Sequence, residues 1–309
     1  MTTRNLTKPV GLIGGLAATV LAVAACATDG DGGSEPAGDG ILAGTSITIA
    51  AFNGWEEGIA ATYLWKAVFE HHGAEVDVQF ADVDFVYDGV ATGEWDIGFD
   101  AWLPETHRPY WERYGDQLED LGAWFTEAPL TIAVNEDAPI TSLTELADNF
   151  DLFDNRIVGI DPGAGLTRIT KESVIPTYGL PEDALIESST PAMIAELEAA
   201  ITRGENIVVT LWQPHWAYDA FPIRNLEDPE GALGDPEEIH SFARPGFSQD
   251  FPEVAEWVSA WTFSADDLHS LENVIFNQNG AKSPEEYEAA VRQWLDDNPG
   301  VIEAMSGGM

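Results

Sequence analysis

Lysine and arginine are scarce in this chain: 13 of them stand against 54 aspartates and glutamates, a formal net charge of −41 over 309 residues. That balance excludes a nucleic-acid partner, whose phosphates need a basic footprint. The acidic residues are spread along the chain rather than blocked, as on a solvated surface at high ionic strength, where a Debye length of a few ångströms screens most self-repulsion. Cysteine is nearly absent, and the single Cys26 cannot close an internal disulfide. Long apolar runs are lacking too. The run Val10 to Ala25, about 16 residues rich in Gly and Ala, falls short of the roughly 20 that span a bilayer, so no permanent membrane span is expected.

Arg4 and Lys8, the apolar run and then Cys26 have the layout of an export signal. The boundary VAAC, Val23 to Cys26, resembles a bacterial lipobox, which implies lipidation of Cys26 and an extracytoplasmic, membrane-anchored protein. The following ATDGDGGSEPAGDG is rich in Gly, Asp, Ser and Pro without periodicity and reads as a flexible tether. Residues 1–25 are thus assigned to the signal and 26–44 to the tether.

Catalytic signatures are missing. The sequence contains no G-x-S-x-G, H-E-x-x-H, C-x-x-C or P-loop pattern. The segment DPGAGL has two glycines but not the rest of a dinucleotide fingerprint, so it reads as a tight strand-to-helix turn whose amides could receive an anion. Apart from the adjacent His71 and His72, the histidines are scattered, none at metal-ligand spacing to a second His or Cys. Neither a catalytic residue, a metal nor a cofactor is expected. Carboxylates are so common that a glycosidase pair would be uninformative by counting, and hydrolysis of sugars stays a minor alternative.

What the chain does have is a repeated α/β pattern. SITIAAF (Ser46 to Phe52) is a strand, Glu56 to His72 has helical apolar spacing, EVDVQF alternates, Val83 to Thr92 reads as a helix and WDIGFDAW as a strand. A second series runs through RIVGID, a helix over Thr167 to Tyr178, the amphipathic PAMIAELEAAITRG ending at Gly204, and NIVVTLW. The step from Ile47 to Trp102 and from Ile157 to Trp212 is 55 residues in both. Each series ends in Trp-x-Pro, within DAWLPETH and TLWQPHW. Two lobes follow, each a mostly parallel sheet flanked by helices, with ligand in the cleft beyond the strand ends. The expected boundaries are 45–134 with 222–309 for lobe 1 and 135–221 for lobe 2. Helices beginning at Pro252, after Ser264 and at the final SPEEYEAAVRQWLDDNPGVIEAM should return to lobe 1.

Trp102 and Trp212 at matched strand exits, with Trp257 and Trp261 available from the third segment, would supply indole walls for a sugar ring or a quaternary ammonium. The latter has no N–H to donate and must be held by the negative faces of aromatic rings. A zwitterionic ligand would also need donors for a carboxylate, and Gly58 and Ile59 stand at the first turn of the first helix, where backbone N–H groups are unpaired.

WEEGIA, DAWLPETH, GIDPGAGL, IVVTLWQPHW and EVAEWVSAWTFSADDL, in that order, resemble the substrate-binding proteins of ABC importers for glycine betaine and related compatible solutes, with a type-II periplasmic-binding-protein fold. The resemblance runs from about Ser46 to Asn298. It implies an aromatic box of Trp102, Trp212 and Trp261, with Trp257 as the alternative third wall, and carboxylate contacts from the backbone of Gly58 and Ile59. His107, His215 and His269 are candidates for a further contact. The implied partners are a small quaternary ammonium ligand, glycine betaine or proline betaine before choline or carnitine, and a membrane permease. The protein is expected to act as a monomer, with hinge crossings near Val134 and Phe221.

Overall fold

The computed structural model describes residues 40–308. The signal, Cys26 and most of the expected tether lie outside the described residues. Residues 40–44 belong to the body: Leu42 is buried and its N–H donates to the His72 carbonyl at 2.9 Å.

The described strands are β1 (Ser46–Phe52), β2 (Glu75–Ala81), β3 (Ile97–Leu103), β4 (Glu119–Ala128), β5 (Leu130–Asn135), β6 (Ile157–Val158), β7 (Leu185–Ile186), β8 (Val208–Trp212), β9 (Ile223–Asn225) and β10 (Glu237–Ala243). They form two sheets, ordered β2-β1-β3-β10-β4 and β7-β6-β8-β5-β9. In the first, β1 runs parallel to β2 and β3, and β10 lies antiparallel between β3 and β4. In the second, β6 runs parallel to β7 and β8, and β5 lies antiparallel between β8 and β9. The sheets therefore correspond strand for strand, with β3 and β8 in the same central place.

Parallel neighbours need crossovers, and the amphipathic segments supply them. In lobe 1 these are α1 (Glu56–His71) and α2 (Val83–Thr92); in lobe 2 they are α3 (Gly165–Ile169), which continues through wider turns to Thr177, and α4 (Thr190–Arg203). Ile59, Leu64, Trp65, Val68 and Phe69 of α1 are buried against Ile47, Ile49 and Phe99 of the sheet. All seven residues of β3 are buried, as expected of a strand covered on both faces, yet one of them is Asp100. Gly204 stops α4 in the left-handed region at φ 65°, where a side chain would be strained.

The chain leaves lobe 1 at Pro129, between β4 and β5, and returns between Asn225 and Glu237. The expected crossings near Val134 and Phe221 are corrected accordingly. Val134 pairs with Val208 inside the second sheet, and β9, beyond Phe221, still pairs with β5. The third segment folds as α5 (Pro252–Ala260), α6 (Ala265–Glu272) and α7 (Pro284–Asp297), packed on β4 and α1. The final helix is not continuous. Gly300, at φ 93°, separates α7 from a short helix at Val301–Met305.

Candidate functional site

β3 and β8 end at Trp102 and Trp212, and each runs into a peptide bond to proline that is cis, Leu103–Pro104 and Gln213–Pro214. Both indoles are buried. Between the strand ends stands the first turn of α1, whose Glu57 carboxylate accepts from both rings: Trp102 Nε1 lies 3.0 Å from Oε1 and Trp212 Nε1 lies 2.9 Å from Oε2. Trp102 Nε1 also lies 2.9 Å from Asp100 Oδ1. Each indole N–H is thereby turned away from solvent toward a carboxylate.

Two buried carboxylates this close disturb each other. Burial first, then the charges of Asp100 and Glu272, push the Glu57 carboxyl well above its usual range. Asp100 is pushed up to about 7 by burial, against the hydrogen bonds from Trp102 and Glu57. Gly58 explains how Asp100 fits against α1, for a Cβ there would stand 2.4 Å from Asp100 Oδ2.

These groups wall a small cavity at the lobe interface. Lobe 1 contributes Trp55, Glu57, Trp102, Thr106 and His107, and lobe 2 contributes Leu130, Ile160, Ala164, Gly165, Leu166 and Trp212. Trp55, the residue before α1, stacks on the His107 ring at 5.3 Å and 28°. The loop carrying Thr106 and His107 is fixed by Glu237 at the start of β10, which accepts from the Thr106 N–H at 3.0 Å and from the Thr106 hydroxyl. His107 Nδ1 accepts the Trp102 N–H at 3.2 Å and lies 3.1 Å from Tyr87 Oη, so the proton of the neutral ring sits on Nε2. Burial, with a smaller contribution from the Arg168 charge, pushes the His107 pKa down to about 3. His107 is therefore an uncharged donor at the cavity wall.

Gly165 and Leu166 open α3, and the first bond within that helix runs from the Arg168 N–H to the Ala164 carbonyl. Their own amides have no partner within the helix. DPGAGL thus brings helix-start N–H groups to the cavity.

Other candidates lie elsewhere. Trp261 and Trp257, expected as the third wall, do not line this cavity, whereas Trp55 does. Trp261 stacks on Trp124 at 4.7 Å and meets Trp65 edge-on at 5.4 Å, inside lobe 1, while Trp257 packs on His72 at 4.8 Å. The reason is that α5 lies along β4, away from the cleft. Gly58 and Ile59 do not line the cavity: the Ile59 N–H is spent on the Trp55 carbonyl at 3.0 Å, and Gly58 closes on Asp100. His215 stands behind the wall, edge-on to Trp212, its Nε2 3.3 Å from Glu56 Oε2. The His269 side chain is exposed, with its Nε2 2.5 Å from Asp219 Oδ2 of the other lobe.

The sequence reading missed Trp55 and Glu57 as cavity residues, although both lie in the quoted WEEGIA. Only the approach of β8 shows that this turn faces two indoles.

The lobes are closed in this structure. Tyr110 Oη donates to the Gly163 carbonyl at 2.7 Å and Arg168 Nη2 to the Glu105 carbonyl at 2.8 Å, both across the cleft. Among the described residues, no helix is long and apolar enough to cross a membrane.

The glycine betaine/carnitine transport binding protein GbuC of Listeria monocytogenes is 34% identical over 155 residues, 50% of this chain and 49% of that protein. The match thus spans about half the length of that curated relative. Among solved structures, lactococcal OpuAC in its closed conformation with glycine betaine superposes with a TM-score of 0.76 at 26% identity, covering 84% of this chain and 99% of that one. The glycine betaine/L-proline-binding protein ProX of Borrelia burgdorferi gives a TM-score of 0.76 at 30% identity, covering 84% and 96%. The family model for the substrate binding domain of the ABC-type glycine betaine transport system matches residues 45–297. With two corresponding lobes closed over a tryptophan-walled cavity, the chain belongs to that family of substrate-binding domains.

Proposed function

We propose that this protein captures a small zwitterion with a quaternary ammonium head, glycine betaine or proline betaine, outside the cytoplasm and delivers it to an ABC permease. The observation that carries the reading is the pair Trp102 and Trp212 held by one buried carboxylate at the mouths of two facing strands. Trp55 completes the aromatic wall. Each indole face contributes about 0.5 to 2 kcal/mol to holding such a cation, more as water is excluded. The cation has no N–H, so methyl contact with an apolar wall leaves none of its groups unsatisfied.

The ligand carboxylate is assigned to the Gly165 and Leu166 amides, where the positive end of α3 adds to two free donors, and to His107 Nε2–H. This replaces the contact expected at Gly58 and Ile59. Capture follows from closure: each lobe alone offers half a wall, and the ligand favours the closed form by contacts that exist only there. Lipidation of Cys26 would keep the protein beside its permease, with one monomer serving as the functional unit.

Titration calorimetry of the purified protein in high-salt buffer tests the reading. Saturable one-to-one binding of glycine betaine, with choline weaker for want of a carboxylate, is the expected result. No heat with glycine betaine, proline betaine, carnitine or choline on folded protein overturns it.

A further inference from the structure

Glu57 does more than border the cavity. Its two oxygens take one indole N–H from its own lobe and one from the opposite lobe, at 3.0 and 2.9 Å, so the carboxylate is both a wall of the cage and a hydrogen-bonded link between the lobes. Among the described residues, none that lines the cavity is a lysine or arginine able to neutralise it. Asp100, itself buried, shares the Trp102 N–H, and buried Glu272 stands near enough for its charge to bear on Glu57. Two indole N–H groups donate to the Glu57 oxygens, and such dipoles stabilise a buried anion less than a full positive charge does.

We infer that Glu57 is the charge-selecting residue of this site: its carboxylate makes closure conditional on a ligand that brings a positive charge. Closing over a neutral molecule takes the carboxylate out of water with two neutral N–H partners, so that it must take up a proton and give up its charge. Closing over a quaternary ammonium supplies the missing counter-charge in the same water-poor space, where the attraction is strongest. Cation–π contact alone would prefer the cation as well; Glu57 adds a term that is lost when its charge is lost. The bond to Trp212 makes this term act on closure, because it forms only when lobe 2 arrives.

The inference rests on the proposed quaternary ammonium ligand, and the test separates the two. Glycine betaine is compared with 3,3-dimethylbutanoate, its uncharged-head isostere, on wild type, Glu57→Gln and Trp212→Phe, each checked for an intact fold by circular dichroism. In wild type, glycine betaine binds at least 100-fold more tightly than the isostere. In E57Q the ratio falls at least tenfold, chiefly through weaker glycine betaine. W212F keeps the charge but drops the interlobe hydrogen bond, so it weakens both ligands and retains most of the ratio. An E57Q protein that loses both ligands by the same factor, or keeps wild-type affinity for glycine betaine, overturns the inference and leaves the ligand assignment standing. Wild type that binds no quaternary ammonium overturns both. If E57Q does not fold, Glu57→Asp decides: with charge kept and reach lost, the ratio must survive, and its collapse refutes the charge role.

Discussion

Gly165 at the start of α3 and Thr106 of the opposite lobe meet so closely that a Cβ on Gly165 would stand 2.1 Å from the Thr106 carbonyl oxygen. The contact joins backbone to backbone across the cleft, so no flexible side chain can yield. Gly165→Ala is therefore expected to fold normally in the open form and to fail at closure, with ligand affinity reduced at least 100-fold. Small-angle scattering with saturating glycine betaine checks this: wild type compacts and G165A does not.

The aromatic wall separates by residue. Removing Trp102, Trp212 or Trp55 to alanine should cost at least tenfold in affinity, since each takes away a face worth up to about 2 kcal/mol along with its packing. Trp261→Ala acts differently. Its ring fills lobe 1 between Trp124 and Trp65, so the variant should lose about 3–5 kcal/mol of stability and, at a temperature where it is folded, keep its affinity within threefold. Urea unfolding and calorimetry on the same samples distinguish the two classes.

Protonation near the cage runs stability and affinity in opposite directions. Asp100 titrates near 7 in the folded protein, facing Glu57, with Glu56 and Glu272 adding to the acidic surroundings, against about 3.9 for an unfolded aspartate. The ligand-free folded state therefore holds more protons than the unfolded one between those values. Its stability falls as pH rises through that window, by up to about 4 kcal/mol. A bound cation favours the ionised carboxylates, so it releases protons and its affinity rises over the same range. Asp100→Asn should flatten the stability slope between pH 4 and 7 relative to wild type, and calorimetry in two buffers of different ionisation enthalpy should reveal the proton release.

His107 is held neutral, its pKa down to about 3, so no histidine inflection from it should appear in binding between pH 5 and 8. His107→Ala removes the donor proposed for the ligand carboxylate, about 1.5–3 kcal/mol, and should weaken glycine betaine ten- to a hundredfold while affecting choline less. Equal losses for both ligands would place the ring's role in packing under Trp55 instead.

The surface charge has its own signature. With a net charge of −41, self-repulsion at low salt opposes the compact state and is screened at molar salt, where the Debye length is about 3 Å. The melting temperature should rise on going from 0.1 to 2 M sodium chloride, and a flat or falling profile would refute this.

Local patterns carried the architecture. Alternation in EVDVQF, helical spacing from Ile59 to Phe69 and the equal steps to Trp102 and Trp212 follow from the geometry of one strand or one helix, so they are visible in sequence. The less regular strands were not: β4 bends at Gly122, φ 96°, and β10 carries register shifts against both neighbours, which breaks the alternation a reader looks for. Crossings were displaced for a related reason, because Leu130 to Val134 looks like any apolar run until its hydrogen-bond partner in β8 is known.

By itself, then, the sequence determined two similar α/β units that each present a tryptophan at a strand exit, and an acidic surface unsuited to nucleic acid. Strand exits and charge balance are short-range or summed properties, which need no knowledge of what lies opposite. Only the tertiary structure decided what faces those tryptophans. Glu57 lies 155 residues from Trp212, and Gly165 reaches Thr106 only across the cleft. Trp55 rather than Trp261 joins the wall because α1 begins between the two sheets while α5 runs along the far side of one. A binding site made where two lobes meet is a set of distances between segments remote in the chain, and those distances are fixed by packing rather than by any local run of residues.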